Sequence, residues 1–309
     1  MVQKNSLNKI LLVCGPTASG KTALAIQLAL KYGGEVISAD SVSIYKELNI
    51  GSAKPTAEEM LGVPHYLIDV VSPFDDFSVS QYEEMTLPII YDILNRGKLP
   101  IICGGTGFYV NSLLYKMSYG KSGCNPEVRE KYQRLAEEKG NGAVFEVLKE
   151  KDPETAEILH ENDLVRVIRA LEIFECSGVK KSEISDEKIP RFDFITIFTD
   201  MEREKLYERI NLRVDLMIEK GIENEVKSLL DSGVTLENQC MQGIGYKEVA
   251  ESILNGEEFP TELVKMRSRR YAKRQITFFK RFENLVKFNT QEDGEYEKFC
   301  KIIDKFLNN

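Results

Sequence analysis

Gly15, Pro16, Thr17, Ala18, Ser19, Gly20, Lys21 and Thr22 fit the phosphate-binding pattern of a glycine, four residues, then Gly-Lys-Thr. Gly15 and Gly20 let the backbone fold so that successive N–H groups converge on phosphate oxygens, a path that side chains would obstruct. Lys21 adds a point charge. Thr22 can offer its hydroxyl to a magnesium ion, and a helix starting near it would turn its positive dipole end toward the same anion. Such a loop holds a di- or triphosphate, without saying which group then moves.

Two further strand ends carry chemistry. Glu35 to Ser38 reads as a strand that runs into Asp40. In an open parallel sheet, ligands lie beyond the carboxyl ends of the strands, so Asp40 is expected at the same crevice as the phosphate loop. A carboxylate there can bind metal or accept a proton; it can equally cap the next turn through its own side chain. Leu99 to Cys103 is a second buried run, ending in Gly104, Gly105, Thr106 and Gly107. The hydroxyl of Thr106 stands between glycines, where backbone must approach something closely. His65, ahead of an apolar run ending at Asp69, reads as a packed structural histidine.

Basic residues concentrate in Lys265 to Arg281, which holds eight of them and no acidic residue in a chain of net charge −8. On a helix Arg267, Arg270, Arg274 and Arg281 share roughly one side, with Tyr271 and Phe278 nearby, a pattern suited to a phosphate backbone. In an earlier segment, Asp163 to Cys176, Arg166 and Arg169 lie opposite Leu164, Ile168 and Leu171, and the default reading for them is solvated charge. Arg213 and Asp215 open an amphipathic helix interrupted near Gly221. A glycine-marked bend over 242–248 carries Tyr246 and Lys247.

These residues need a scaffold, and the spacing of apolar runs supplies one. Strand-like runs at Ile10 to Val13, Glu35 to Ser38, the stretch after His65, Leu99 to Cys103 and Phe192 to Phe198 alternate with helical segments such as Ala23 to Lys31 and Phe77 to Asn95. The reading is an α/β fold: a P-loop NTPase-like parallel sheet core, helices on both faces, and an inserted all-α domain. The core takes residues 1–120 and 188–309, and the insertion takes 121–187, where four charged helical segments stand without a clear strand.

At 309 residues, 42% hydrophobic and 29% charged, the composition is that of a globular protein with a substantial core. No apolar run approaches the roughly 20 residues that span a bilayer, and the N-terminus lacks the apolar core of a signal peptide, so a cytoplasmic protein without membrane contact is expected. Six cysteines without a CxxC pair, beside two histidines, speak against a zinc site. The acidic balance excludes indiscriminate nucleic-acid binding and leaves the local basic face informative.

GPTASGKT, ADSVSIY, IGSAKP, GGTGFY, NDLVRVIRALE, RVDLMIEKG, GIGYKE and YAKRQITFF occur in that order from Gly15 to Phe279. This series resembles the motifs of the tRNA dimethylallyltransferases, also called tRNA isopentenyltransferases or the IPP transferase family. The resemblance implies transfer of a dimethylallyl group from dimethylallyl diphosphate to N6 of adenosine 37, beside the tRNA anticodon, with Mg2+. It implies that the Gly15 to Thr22 loop cradles the diphosphate as leaving group, that Thr22 holds the metal, and that Asp40, Thr106 and Arg213 are catalytic. It assigns the RNA contacts to Asp40, Ser41, Val42, Ser43 and Thr106, to Arg129, and to Val165, Arg166, Val167, Ile168 and Arg169. Gln242, Gly243, Ile244, Gly245, Tyr246 and Lys247 complete that set, joined by Arg270 and Arg274 of the basic stretch. The insertion then becomes a clamp on the anticodon stem, and a monomer is expected.

Some positions depart from the family pattern. Ser43 stands where glutamine is common, so a long amide reaching toward RNA is missing or supplied elsewhere. Phe278 stands where tryptophan is frequent. A C-terminal zinc finger found in many eukaryotic members is missing, as in the shorter bacterial form. Three other readings compete: a prenyltransferase of free adenine nucleotides, a P-loop kinase of small molecules, and a nucleotide-dependent RNA-binding switch.

Overall fold

The computed structural model describes residues 8–117, 125–184, 189–282, 284–289 and 294–309. The expected domain boundaries at 120/121 and 187/188 lie outside the described residues. The chain divides into two compact units, 1–114 with 190–309, and 115–189.

In the first unit, strand β1 (Lys9–Cys14) is buried from Ile10 to Cys14, on both of its faces. A strand apolar on both faces belongs in a parallel sheet covered on both sides. β1 lies inside a six-stranded sheet with β2 (Gly34–Ser38), β3 (His65–Tyr66), β4 (Leu99–Gly104), β5 (Asp193–Asp200) and β6 (Leu285–Asn289), in the order β3-β2-β4-β1-β5-β6. Every pairing is parallel, and Leu11 stands between Ile101 of β4 and Ile195 of β5.

Successive side chains point to opposite faces of a strand, and the two parities meet different helices. Leu11, Val13, Val36, Ile101 and Ile197 pack with Leu24 and Leu28 of α1 (Lys21–Tyr32) and with Phe299 and Ile303 of α12 (Glu295–Asn308). The other parity meets α2 (Val79–Asn95), whose Tyr82 hydroxyl donates to Ser38 O at 2.9 Å, and α11 (Thr261–Phe279), whose Phe279 ring lies 6.5 Å from that of Phe198. α3 (Gly107–Leu114), α8 (Arg203–Glu219), α9 (Ile222–Asp231) and α10 (Tyr246–Asn255) complete this unit.

Three expectations change, the first being that Arg213 and Asp215 do not open their helix but stand past the middle of α8, which already starts at Arg203. The helix read from Phe77 starts at Val79, because Ser78 forms a capping box with Gln81. The run after His65 is a strand for two residues only: Leu67 and Asp69 have φ of 61° and 58°, left-handed values that end a strand.

The second unit contains α4 (Pro126–Lys139), α5 (Asn141–Lys151), α6 (Pro153–Ile158) and α7 (Leu164–Ser177), around a core of Tyr132, Val144, Leu148, Val167 and Leu171. Within it Glu172 is fully buried and accepts from Arg129 at 2.8 and 3.1 Å, from Arg169 at 2.5 Å and from Asn125 N–H at 2.7 Å. Burial by itself would raise its pKa, but these donors hold the carboxyl below its ordinary value.

Candidate active site

The chain leaves β1 at Cys14 and turns through Gly15, Ala18 and Gly20, with φ of 149°, 63° and 88°, before α1 starts at Lys21. Gly15 answers a packing need as well as a phosphate: a Cβ there would lie 2.2 Å from Thr199 Oγ1. Ser19 Oγ donates to Pro16 O at 2.7 Å and sits 2.5 Å from Thr199 Oγ1, so this hydroxyl is consumed in shaping the loop. Lys21 Nζ donates to Pro16 O at 2.7 Å. Burial lowers the Lys21 pKa to about 8, and the positive charge of Arg213 pushes the same way. Thr22, at the start of α1, lines the same cavity as Lys21, with its side chain hydrogen-bonded to Cys103.

Asp40 follows β2 and lines the same cavity as Lys21. The turn-capping role that the sequence allowed falls to one of its two oxygens. Oδ1 accepts from the N–H groups of Val42 at 2.9 Å and Ser43 at 3.0 Å, capping the turn. Oδ2 accepts no hydrogen bond among the described residues. Thr106 is held beside this turn: its Oγ1 accepts from Ser41 N–H at 3.0 Å and donates to Ser41 Oγ at 3.2 Å.

The close approach at the second glycine loop is made by the chain's own groups. A Cβ at Gly104 would lie 2.1 Å from Ala39 O, at Gly105 2.0 Å from Gln275 Nε2, and at Gly107 2.2 Å from the Phe278 ring. Phe278 thus keeps the apolar bulk of the residue it replaces by filling the space over Gly107. Ser43 is buried, its Oγ 3.2 Å from Ser38 Oγ, and is too short to reach out of the site.

α8 and the segments after α9 close the other side. Arg213 Nη1 donates to Thr17 Oγ1 at 3.0 Å and Nη2 to Ser52 O at 3.2 Å, while burial lowers its pKa. The loop holding Ser52 is pinned from α9: Glu225 accepts from the N–H groups of Asn49, Ile50 and Gly51 and, at 2.6 Å, from the Tyr246 hydroxyl. Tyr246 is therefore fully buried as a support for that loop, and Gly245 is buried with it. Gln242, Gly243 and Ile244 do reach the cavity, and Lys247 Nζ lies 3.4 Å from Gln242 Oε1.

From α11 come Tyr271, read in the sequence only as an aromatic of the basic stretch, and Gln275, which the sequence reading missed. Tyr271 and Gln275 join Arg274 in lining the cavity, with the Arg274 guanidinium 5.5 Å from the Tyr271 ring centre. Burial pushes the Tyr271 hydroxyl up to about 12. A polar Gln275 on the stripe Val264, Ala272, Phe279 was the available signal, a buried amide among core positions. The basic stretch is only partly free: Lys265 pairs with Asp215 at 2.7 Å, Arg267 with Glu248 at 3.4 Å, and Arg269 donates to Asn211 at 2.6 Å. Arg281 lies past the end of α11. Arg270, Lys273 and Arg274 remain without an acidic partner among the described residues.

The predicted groups Thr17, Lys21, Thr22, Asp40 to Ser43, Arg213, Gln242 to Ile244 and Arg274 therefore surround one cavity of about 310 Å³. In the helical unit the predictions separate. Val167 and Ile168 are core residues, so the side chains that α7 presents outward are Val165 and Arg166, both strongly exposed, with Arg169 half turned toward Glu172. Arg129 is likewise oriented by Glu172.

A parallel sheet whose central strand feeds a phosphate loop, with a carboxylate and a guanidinium across one cavity, defines an α/β enzyme of the P-loop class acting on a phosphorylated substrate. The profile described as IPP transferase matches residues 43–282, and that described as isopentenyl transferase matches 8–75. The chain is 47% identical over 307 residues to the tRNA dimethylallyltransferase of Acetivibrio thermocellus, covering 97% of this chain and 98% of that one. The Caldanaerobacter subterraneus protein of the same name is 46% identical, covering 97% of each chain. Among solved structures, the tRNA isopentenylpyrophosphate transferase of Bacillus halodurans superposes with a TM-score of 0.73 at 36% identity, covering 98% of this chain and 97% of that one. A eukaryotic dimethylallyltransferase acting on tRNA gives a TM-score of 0.83 at 31% identity, covering 98% and 80%. The chain belongs to the IPP transferase family.

Proposed function

We infer that the chain transfers the dimethylallyl group of dimethylallyl diphosphate to N6 of adenosine 37 in the anticodon loop of tRNA, releasing diphosphate. The observation that carries the reading is the Asp40 carboxylate, one oxygen capping its turn and the other free, on the same cavity as Lys21 and Arg213. A phosphoryl-transfer site would direct a nucleophile at phosphorus. Family membership directs this site to the allylic carbon.

The diphosphate lies in the loop of Gly15 to Thr22, against N–H groups, Lys21 and the helix start of α1. Arg213, fixed to Thr17 and Ser52, adds its charge where negative charge grows as the allylic C–O bond breaks and its electron pair leaves with the diphosphate. The N6 lone pair of the adenine forms the new bond to carbon. Asp40 Oδ2 accepts the proton that the amine then sheds, and Thr106, held to Ser41, orients the acceptor base beside it. Burial disfavours the charged forms of Arg213 and Lys21, and an anion bound between them in this poorly solvated site is held more strongly than in water.

The residues also fit magnesium. Among the described residues no cluster of three or more His, Cys, Asp or Glu is present, and this ion takes few protein ligands beside substrate phosphates and waters. Thr22, on the cavity wall, would hold it through its hydroxyl. When bound, magnesium neutralises charge on the departing diphosphate.

The acceptor adenosine must leave its stack, at a cost of a few kcal/mol that is least in a single-stranded loop. Arg270, Lys273 and Arg274 supply a basic face for the RNA, and Arg166, Arg169 and Arg129 of the helical unit supply another for the anticodon stem. No helix among the described residues is long and apolar enough to cross a membrane. The test is to incubate the protein with dimethylallyl diphosphate, magnesium and an unmodified tRNA bearing A36 and A37, then digest and weigh the nucleosides. A dimethylallyl-adenosine at position 37 is expected. Product on free AMP alone, or phosphate transfer from ATP, would overturn the reading.

A further inference from the structure

The phosphate loop and the Gly104 to Gly107 turn leave two different strands, yet one buried side chain holds both. Gln275 Oε1 accepts from Thr17 N–H at 2.8 Å, and its Nε2 donates to Gly105 O at 3.1 Å. Gln275 is 5% exposed and stands in α11 with Tyr271 and Arg274, four and one positions earlier, at the cavity wall. An amide can accept and donate at once, which neither a carboxylate nor an apolar side chain of its size can do. Gly105 leaves the room: a side chain there would meet Gln275 Nε2 before the hydrogen bond could form. The Thr17 carbon skeleton that Gln275 fixes also carries the hydroxyl to which Arg213 donates.

We propose that Gln275 is a positioning residue for the transfer: it sets the spacing between the loop that holds the diphosphate and the loop that carries Thr106 beside Asp40. The proposal rests on the function given above. Gln275 touches neither reacting atom. It acts because donor carbon and acceptor nitrogen are held by different loops, and a misplacement of about 1 Å between reacting groups costs about 100-fold in rate.

The test compares Gln275→Glu and Gln275→Leu with the wild type in steady-state prenylation of an unmodified tRNA, from pH 5.5 to 8.5, with thermal melts recorded at each pH. Both variants are expected to lose about tenfold or more in kcat at pH 8, with smaller changes in KM for the diphosphate. As pH falls, the Glu variant regains activity relative to wild type, because a protonated carboxyl both donates to Gly105 O and accepts from Thr17 N–H. The Leu variant does not. A merely structural role would move both variants together and in step with their melting temperatures. Wild-type kcat in either variant, or the same relative pH profile in both, overturns the clamp. A wild type that prenylates no tRNA overturns the functional reading instead, and the clamp's role in transfer falls with it.

Discussion

Arg213 Nη1 donates to the hydroxyl of Thr17 at 3.0 Å, joining α8 to the phosphate loop across 196 residues of sequence. The second arm of the same guanidinium holds Ser52 O, so two nitrogens set apart in a planar fork each hold one loop, a geometry that the single nitrogen of an ammonium does not reproduce. Arg213→Lys therefore keeps a charge and loses the geometry. Transfer is expected to fall about 100-fold, with a raised KM for the diphosphate and RNA affinity near wild type. Steady-state kinetics at saturating RNA check it.

Asp40 combines a turn cap with a free oxygen, and the two functions can be separated. Asp40→Asn retains an acceptor for Val42 and Ser43 N–H while removing the base. The single-turnover rate is expected to drop about 10²- to 10⁴-fold with an unaltered melting temperature. Asp40→Ala adds the loss of the cap, of about 1 kcal/mol. Equal turnover in the Asn variant would remove Asp40 from the chemistry.

Lys21 gives the site a pH dependence with a definite sign. Burial lowers its pKa to about 8, so the ammonium is present below that pH and lost above it. Bound diphosphate favours the charged form, so binding takes up a proton above pH 8. Affinity should weaken by up to about tenfold per pH unit from 8 upward. Calorimetric titration of diphosphate at pH 7 and 9 reads this directly, and Lys21→Arg should flatten the profile.

Arg270→Glu with Arg274→Glu removes two cations that have no acidic partner among the described residues. RNA binding is expected to weaken, and the slope of log affinity against log salt to shrink by about 0.7 to 0.9 for each phosphate that is no longer neutralised. Arg269→Glu, by contrast, breaks a hydrogen bond to Asn211 inside the protein and should lower stability more than the salt slope. Filter binding across a salt series separates the two.

Local patterns made much of the core readable. β1, β2, β4 and β5 are short apolar runs cut off by glycine or aspartate, and α1 and α11 show helical spacing over several turns. β6 and α12 went unread. β6 is a five-residue edge strand, half exposed, whose Lys287 reaches Asp200 of β5 at 2.9 Å, so it lacks the continuous apolar run of the inner strands. The run from His65 to Asp69 misled in the opposite direction, because its apolar content reflects packing by residues in left-handed conformations.

The sequence by itself determined the phosphate loop, the strand ends that carry Asp40 and Thr106, and the excess of positive charge near the C-terminus. Each of these is written within fewer than twenty neighbouring residues, where backbone geometry and periodicity act. Tertiary structure alone decided that Asp40 has one committed and one free oxygen, that Glu172 orients Arg129 and Arg169, and that Tyr246 braces a loop through Glu225. It also decided that Gln275, 258 residues from Thr17, ties the phosphate loop to the Thr106 turn. Such contacts depend on which elements the fold brings together, and hydrogen bonds across that separation leave no periodicity in the chain for sequence reasoning to find.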